Sequence, residues 1–275
     1  MAMSKGILVD ISLCIGCESC MEACHQKNHL KDTGEHRLSP NNYVVIENIN
    51  EEVFYRHACM HCEDPTCASV CPVGAFEKTE LGPVIWHGEK CIGCRYCLQA
   101  CPFQIPTYEW NNPVPSVRKC DMCYDRIVAG QQPACTEACP TGAIKFGDRD
   151  ALIAEARERI KREPDKYVHH IYGLKEVGGT SVLYISPVSF KEIPFLARNL
   201  KQLEPYPELT WKVLSQLPNV VSFTGMALFG VYWIINRRMK LQKLAEEQEE
   251  QVPPEDDIVE EVSLDEGEEE TSSQK

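Results

Sequence analysis

The sequence predicts an α+β protein organised around bound metal, with one membrane-crossing helix after it. Three observations carry that expectation. All sixteen cysteines of the 275-residue chain lie between Cys14 and Cys139. Short apolar runs of strand length are interleaved with them. Further on, Val213 to Asn236 holds 24 residues without a charge, ~36 Å of helix against a hydrocarbon core of roughly 30 Å. The formal net charge of −13 is uneven, because Leu244–Lys275 carries fourteen acidic residues against the single Lys275. The remainder is neutral, which excludes a basic nucleic-acid binder: no excess positive field exists to collect phosphates.

Dense cysteine has three ordinary explanations, namely a disulfide scaffold, zinc sites or iron–sulfur clusters. The chain begins MAMSKGILVDI, with no apolar signal segment and no twin-arginine pair, so folding in a reducing cytoplasm is expected and disulfides are disfavoured. Spacing separates the other two. The cysteines form four groups of four: Cys14, Cys17, Cys20, Cys24; Cys59, Cys62, Cys67, Cys71; Cys91, Cys94, Cys97, Cys101; and Cys120, Cys123, Cys135, Cys139. Proline follows the last three groups as Pro72, Pro102 and Pro140. The run C-x2-C-x2-C-x3-C-P is the bacterial-type ferredoxin pattern, in which three thiolates of one loop hold one cluster and the fourth reaches a second. Zinc, which takes four thiolates from paired CxxC knuckles, has no use for this three-plus-one sharing.

The pattern resembles multicluster ferredoxins, and that resemblance implies tandem, nested ferredoxin domains in which the outer groups pair with each other and the inner groups pair with each other. The implied ligand sets are Cys14, Cys17, Cys20 and Cys139; Cys24, Cys120, Cys123 and Cys135; Cys59, Cys62, Cys67 and Cys101; and Cys71, Cys91, Cys94 and Cys97. Spacing alone also allows sequential pairing. Four [4Fe–4S] clusters held at every corner by cysteine would conduct electrons and offer no open iron to a substrate. Gly16, Gly93 and Gly142 supply small residues where backbone must approach sulfur. Lys90, Arg95, Arg118 and Lys119 stand beside cluster cysteines, as candidates either for tuning a potential or for ordinary surface charge. His25, His29, His57, His61 and His87 also lie near cysteines, but no ligand position is vacant, so surface or supporting roles are expected.

In chain order, Lys5–Ile11 and Tyr43–Ile49 read as strands, Pro83–His87 and Ala143–Gly147 as strands beside clusters, and Asp150–Arg162 as an amphipathic helix ended by Pro164. Ser181–Ser186 reads as a further strand, and proline-punctuated residues 187–218 as an extended strap. His169 and His170 are expected to pack rather than to bind haem. The expected domains are therefore a cluster domain over 1–148, a helix and strap over 149–212, a transmembrane helix over 213–236 and a disordered acidic tail over 244–275. Tyr232 and Trp233, ahead of Arg237, Arg238, Lys240 and Lys243, have the form of an interfacial belt. Gly225, Ala227 and Gly230 would let another helix approach closely. A buried helix of a soluble protein is the alternative for the span.

The four motifs, the stretch Gly130–Gly147 (GQQPACTEACPTGAIKFG), the loop Glu176–Ser186 (EVGGTSVLYIS) and the single C-terminal span together resemble a known family. It comprises the four-cluster electron-transfer subunits of membrane-bound respiratory oxidoreductases, in particular quinone-reducing nickel–iron hydrogenases and respiratory formate dehydrogenases. The resemblance implies a non-catalytic subunit that passes electrons between a hydrogenase or molybdopterin catalytic partner and a quinone-reactive or cytochrome b-type membrane subunit. Family members often begin with a twin-arginine leader, which does not appear here. Basic residues favour the C-terminal side of the span, which would leave the tail inside and the cluster domain periplasmic, carried out with a partner; the reverse keeps the clusters cytoplasmic. No GxGxxG, P-loop or nucleophile elbow offers an independent catalytic site. A metal-stabilised membrane scaffold and a stand-alone membrane ferredoxin are the competing functions.

Overall fold

The computed structural model describes residues 4–49 and 51–250. They form two compact units, Met1–Val213 and Leu214–Lys275. The strands are β1 (Lys5–Asp10), β2 (Val44–Asn48), β3 (Phe54–Ala58), β4 (Phe76–Lys78), β5 (Val84–Trp86), β6 (Thr107–Tyr108), β7 (Val117–Arg118), β8 (Ile144–Asp148) and β9 (Val182–Ile185). The helices are α1 (Ser19–Asn28), α2 (Thr66–Ser69), α3 (Tyr96–Ala100), α4 (Tyr124–Val128), α5 (Ala134–Glu137), α6 (Arg149–Arg162), α7 (Pro194–Ala197), α8 (Tyr206–Leu214) and α9 (Leu217–Glu250).

The first unit is nested. β1 pairs antiparallel with β8, from Lys5↔Asp148 to Val9↔Ile144, and α1 packs on α5, so the two ends of the cysteine region meet. Inside that frame β4 pairs with β5 and α2 packs on α3. β1 is almost wholly buried because it is central, with β9 running parallel on its other edge. Its alternate faces feed two apolar clusters. Ile7 and Val9 join the main core with Val44, Tyr184 and Leu196, whereas Leu8 packs with Leu152, Ile153 and Leu183 under α6. Asp10, buried at the end of β1, is fully engaged: its carboxylate accepts from the Ser12 N–H (3.0 Å), Arg159 Nη1 (2.8 Å) and the Tyr167 hydroxyl (2.8 Å). Those bonds fix α6 against the sheet and compensate the buried charge.

Residues 187–218 differ from the expected extended strap. They contain a 3-10 turn at Phe190–Glu192 together with α7 and α8. Pro194 opens α7 at its first turn, where its missing N–H costs nothing. The prolines mark helix starts here, not continuous extension.

In the second unit α9 is long and apolar enough to cross a membrane. Pro218 lies in its first turn, and Val221, Phe223, Met226, Phe229 and Trp233 are all exposed. The buried-helix alternative therefore finds no cover within the described residues. α9 also runs beyond the expected span, so 244–250 of the expected disordered tail is helical. Leu244, Ala245 and the Glu–Gln run that follows are strong helix formers, and they extend a helix already nucleated. The remaining expected tail, 251–275, lies outside the described residues.

Candidate iron–sulfur centres

Each cysteine group begins with a tight loop. In Cys14–Cys20 the backbone turns through positive φ at Gly16 (69°) and Glu18 (58°), and Cys91–Cys97 repeats it at Gly93 (70°) and Arg95 (62°). A Cβ on Gly16 would stand 2.7 Å from the Phe54 ring, and one on Gly93 would stand 2.9 Å from the Tyr108 hydroxyl. Both loops thus need glycine for conformation and for space. Such turns aim successive N–H groups inward, a geometry suited to an anion. Several already meet sulfur: Gly93 N–H to Cys91 Sγ (3.4 Å), Ala75 N–H to Cys71 Sγ (3.2 Å) and Met122 N–H to Cys120 Sγ (3.3 Å).

All sixteen thiols are free, and three cavities gather twelve of them. One cavity is lined by Cys14, Cys17, Cys20 and Cys139. Another is lined by Cys59, Cys62, Cys67 and Cys101. A third is lined by Cys24, Cys120, Cys123 and Cys135. The other four cysteines also converge: Cys97 packs beside Cys71 and Cys91 and lies within electrostatic reach of Cys91, Cys94 and Cys71.

The walls fit iron–sulfur clusters. Four thiols set around a void, the fourth drawn from a distant cysteine group, suit a polynuclear group better than zinc held by paired knuckles. Buried donors point the same way. Arg56 lines the first cavity and leaves Nε and Nη1 without partners. His61 and Thr66 line the cavity of Cys59, Cys62, Cys67 and Cys101 and leave Nε2 and Oγ1 unpaired. Trp86, packed near Cys71 and Cys97, has an unpaired Nε1. Unsatisfied buried donors are costly in an apolar void, and an anion with sulfur acceptors answers that cost.

Electrostatics agree. Burial pushes the Cys20 and Cys24 thiols up to about 12, with neighbouring cysteines adding to the rise and Arg56 opposing it. Burial likewise raises Cys67 and Cys97 to about 12, and Cys101 and Cys123 to about 11. Thiols so placed are protonated at neutral pH, so metal loading must release protons.

The flanking candidates divide. Lys119 is buried at the cavity of Cys59 and Cys101, where Nζ donates to the carbonyl oxygens of Val84 and of Cys120 (2.9 Å). Arg118 instead pairs with Glu109 at 2.7 Å. Arg95 stacks over the rings of Trp110 (5.0 Å) and Tyr108 (5.7 Å), and Lys90 is exposed. His25 meets Asn42 (2.6 Å), His57 meets Glu47 (2.7 Å) and His87 meets Glu77 (2.8 Å), while His29 is exposed. His169 meets the Pro164 carbonyl (3.1 Å) and His170 meets Glu176 (2.6 Å). Arg56 is the buried wall residue that the sequence pattern did not single out, whereas His61 takes the supporting place expected of it. The available signal was a charged or titratable residue within three positions of Cys59 or Cys62.

Known proteins match on the same residues. Two different 4Fe-4S dicluster domain models match, one over residues 13–76 and the other over residues 50–149. Hydrogenase-2 operon protein HybA of Escherichia coli O157:H7 is 36% identical over 236 residues, covering 69% of this chain and 72% of that protein. The chain belongs to this family of iron–sulfur subunits. The formate dehydrogenase iron-sulfur subunit of Haemophilus influenzae is 32% identical over 247 residues (82% of this chain, 78% of that protein). The nitrate-inducible formate dehydrogenase iron-sulfur subunit of Escherichia coli K12 is 37% identical over 197 residues, with coverages of 65% and 66%. As a member of this family the chain is an iron–sulfur electron-transfer subunit of an oxidoreductase complex.

Proposed function

We propose that this chain relays electrons through four [4Fe–4S] clusters between a hydrogenase or molybdopterin catalytic subunit and a quinone-reactive membrane subunit. The observation that carries the reading is the gathering of twelve cysteines, four at a time, around three cavities, with the remaining four converging at Cys97. Each such set holds one cluster, which supplies one-electron storage when bound. The chain's own part is to bind, to insulate and to set charge. Cys20 and Cys24 share α1, and Cys67 and Cys71 bracket the end of α2, so each of these segments ties two sets together.

The exposed cysteines are Cys17 and Cys94, one in each of two different sets. Beside them Ile15 and Ile92 are 61% and 65% exposed. These two apolar tips are where partner subunits would bring their own redox groups close. α9 anchors the chain in the membrane, with Arg237, Arg238, Lys240 and Lys243 favouring a C-terminal end inside and a periplasmic cluster domain. The guanidinium of Arg237 lies 5.7 Å from the Trp233 ring, an arrangement suited to the interface.

The test is analysis of the full chain, purified anaerobically from membranes in detergent with its co-purifying subunits. Once the iron and sulfide held by the co-purifying subunits are subtracted, each should approach about sixteen per chain, four for each cubane, and dithionite should bleach the visible absorption. A colourless, zinc-loaded protein with no reducible signal overturns the reading.

A further inference from the structure

Arg56 is the largest fully buried side chain among the described residues, at 1% exposure. It stands on β3 opposite Ile46, and its carbonyl oxygen accepts the Tyr184 hydroxyl at 2.8 Å, so its backbone is held from both sides. Among the described residues its Nε and Nη1 find neither a carboxylate nor any other hydrogen-bond partner. Burying a guanidinium in that way costs several kcal/mol unless an anion answers it. The side chain lines the cavity of Cys14, Cys17, Cys20 and Cys139. Cys135 and Cys120, which line the cavity that includes Cys24, also lie within its electrostatic reach. Two four-thiol sites therefore share one fixed cation, whose Nε and Nη1 have no other partner among the described residues.

We propose that Arg56 is an electrostatic bridge between the clusters held by the first two cysteine sets, raising the reduction potential of both. The proposal rests on the four-cluster reading above and adds to it a specific asymmetry. Adding one electron to a site already ringed by four thiolates increases its negative charge, and a nearby cation favours that reduced form. Arginine suits the task because it stays protonated however deeply it is buried. The third set has its own cation in Lys119, but that ammonium is engaged by the carbonyl oxygens of Val84 and Cys120. Arg56 has no such competitor for Nε and Nη1. Asp121, close to Cys120, acts in the opposite sense on the second set.

The experiment compares wild type, Arg56→Met and Arg56→Lys as full-length chains purified with their co-purifying subunits. Redox titration followed by electron paramagnetic resonance resolves the individual clusters. In Arg56→Met the reduction equilibria of two clusters should each fall at least tenfold, about 59 mV for one electron. The other two should move by less than half of that, and Arg56→Lys should recover most of the loss. Four unshifted potentials in a fully loaded Arg56→Met protein overturn the proposal, as do equal shifts in Met and Lys variants. Should the methionine variant not assemble, wild-type protein carrying 15N-arginine supplies an independent reading. A guanidinium nitrogen coupling to a reduced cluster is expected, lost in Arg56→Lys, and its absence in wild type overturns the proposal. Wild type lacking four reducible clusters would instead overturn the four-cluster reading itself.

Discussion

The outer and inner cysteine pairs solve the same problem on different amounts of protein. Their loops match closely: Gly16 and Glu18 in one, Gly93 and Arg95 in the other, share the same left-handed turns. Each pair of sets is spanned by two packed helices and one antiparallel strand pair. The surroundings differ. The outer strands β1 and β8 have five registered residue pairs and gain a third strand in β9, with apolar clusters on both faces. The inner strands β4 and β5 have three registered pairs and, among the described residues, no third partner. The core around Cys71, Cys91 and Cys97 is small, namely Phe76, Val84, Cys97, Tyr108 and Val117. A two-stranded hairpin of that size is marginal in water. Apolar burial can hold the outer sheet without help, whereas the inner hairpin relies on ligation for its order.

Metal removal is the strongest way to break that comparison. After anaerobic chelation of iron, hydrogen exchange at Phe76–Lys78 and Val84–Trp86 should accelerate at least about a hundredfold more than exchange at Leu8, Val9 and Leu183. Equal loss of protection in both regions would show that the outer sheet has no independent stability. Single ligands give the next largest effect. Cys139→Ser should remove the signal of the cluster shared with Cys14, Cys17 and Cys20, and Cys24→Ser that of its neighbour, each at a cost of about four irons per chain. Both variants should keep the outer fold, whereas Cys97→Ser should also loosen β4 and β5. Paramagnetic resonance with iron analysis reads the first pair, and hydrogen exchange the third variant. Reversed assignments for Cys139 and Cys24 would overturn nested ligation and leave each of these cysteine groups holding its own cluster.

What the sequence disclosed follows the same division. Ligand spacing is a local, covalent property, so the grouping of sixteen cysteines is readable from the chain alone. β1, β2 and α6 lie within a residue or two of the runs expected at Lys5–Ile11, Tyr43–Ile49 and Asp150–Arg162, because each is an apolar pattern with a clear stop. β3 was not anticipated. Its sequence FYRHA carries an arginine and a histidine, and nothing local says that Arg56 faces thiols contributed from Cys20 and Cys135. The same applies to residues 187–218, where proline marks the starts of helices that tertiary packing stabilises. Charge in a protein interior becomes legible only when its surroundings are known.

The weakest expected effect probes the buttress that the outer sheet has and the inner hairpin lacks. Glu176, within the EVGGTSVLYIS loop before β9, is buried, and its carboxylate accepts from His170 Nε2 (2.6 Å) and the Gly173 N–H (2.8 Å). The bond from His170 holds the imidazole above its ordinary range despite partial burial. Burial alone would raise the Glu176 carboxyl, but His170 and the loop N–H groups outweigh it and the net shift is downward. The histidine contribution is therefore complete below about pH 6.5 and fades as pH rises through the raised folded value. The carboxylate contribution is complete above about pH 4.3 and fades as pH falls through the lowered one. Support for the loop should peak between those limits. Because the imidazole is nearly half exposed, raising pH from 6 to 8 should weaken the loop by no more than about 1 kcal/mol. Amide exchange at Gly173 and Thr180, corrected for its intrinsic pH dependence, should show that decline in wild type and lose it in His170→Asn. An unchanged decline in the variant would place the titrating group elsewhere, and the hairpin amides of β4 and β5, far from this pair in the chain, should not follow it in either protein.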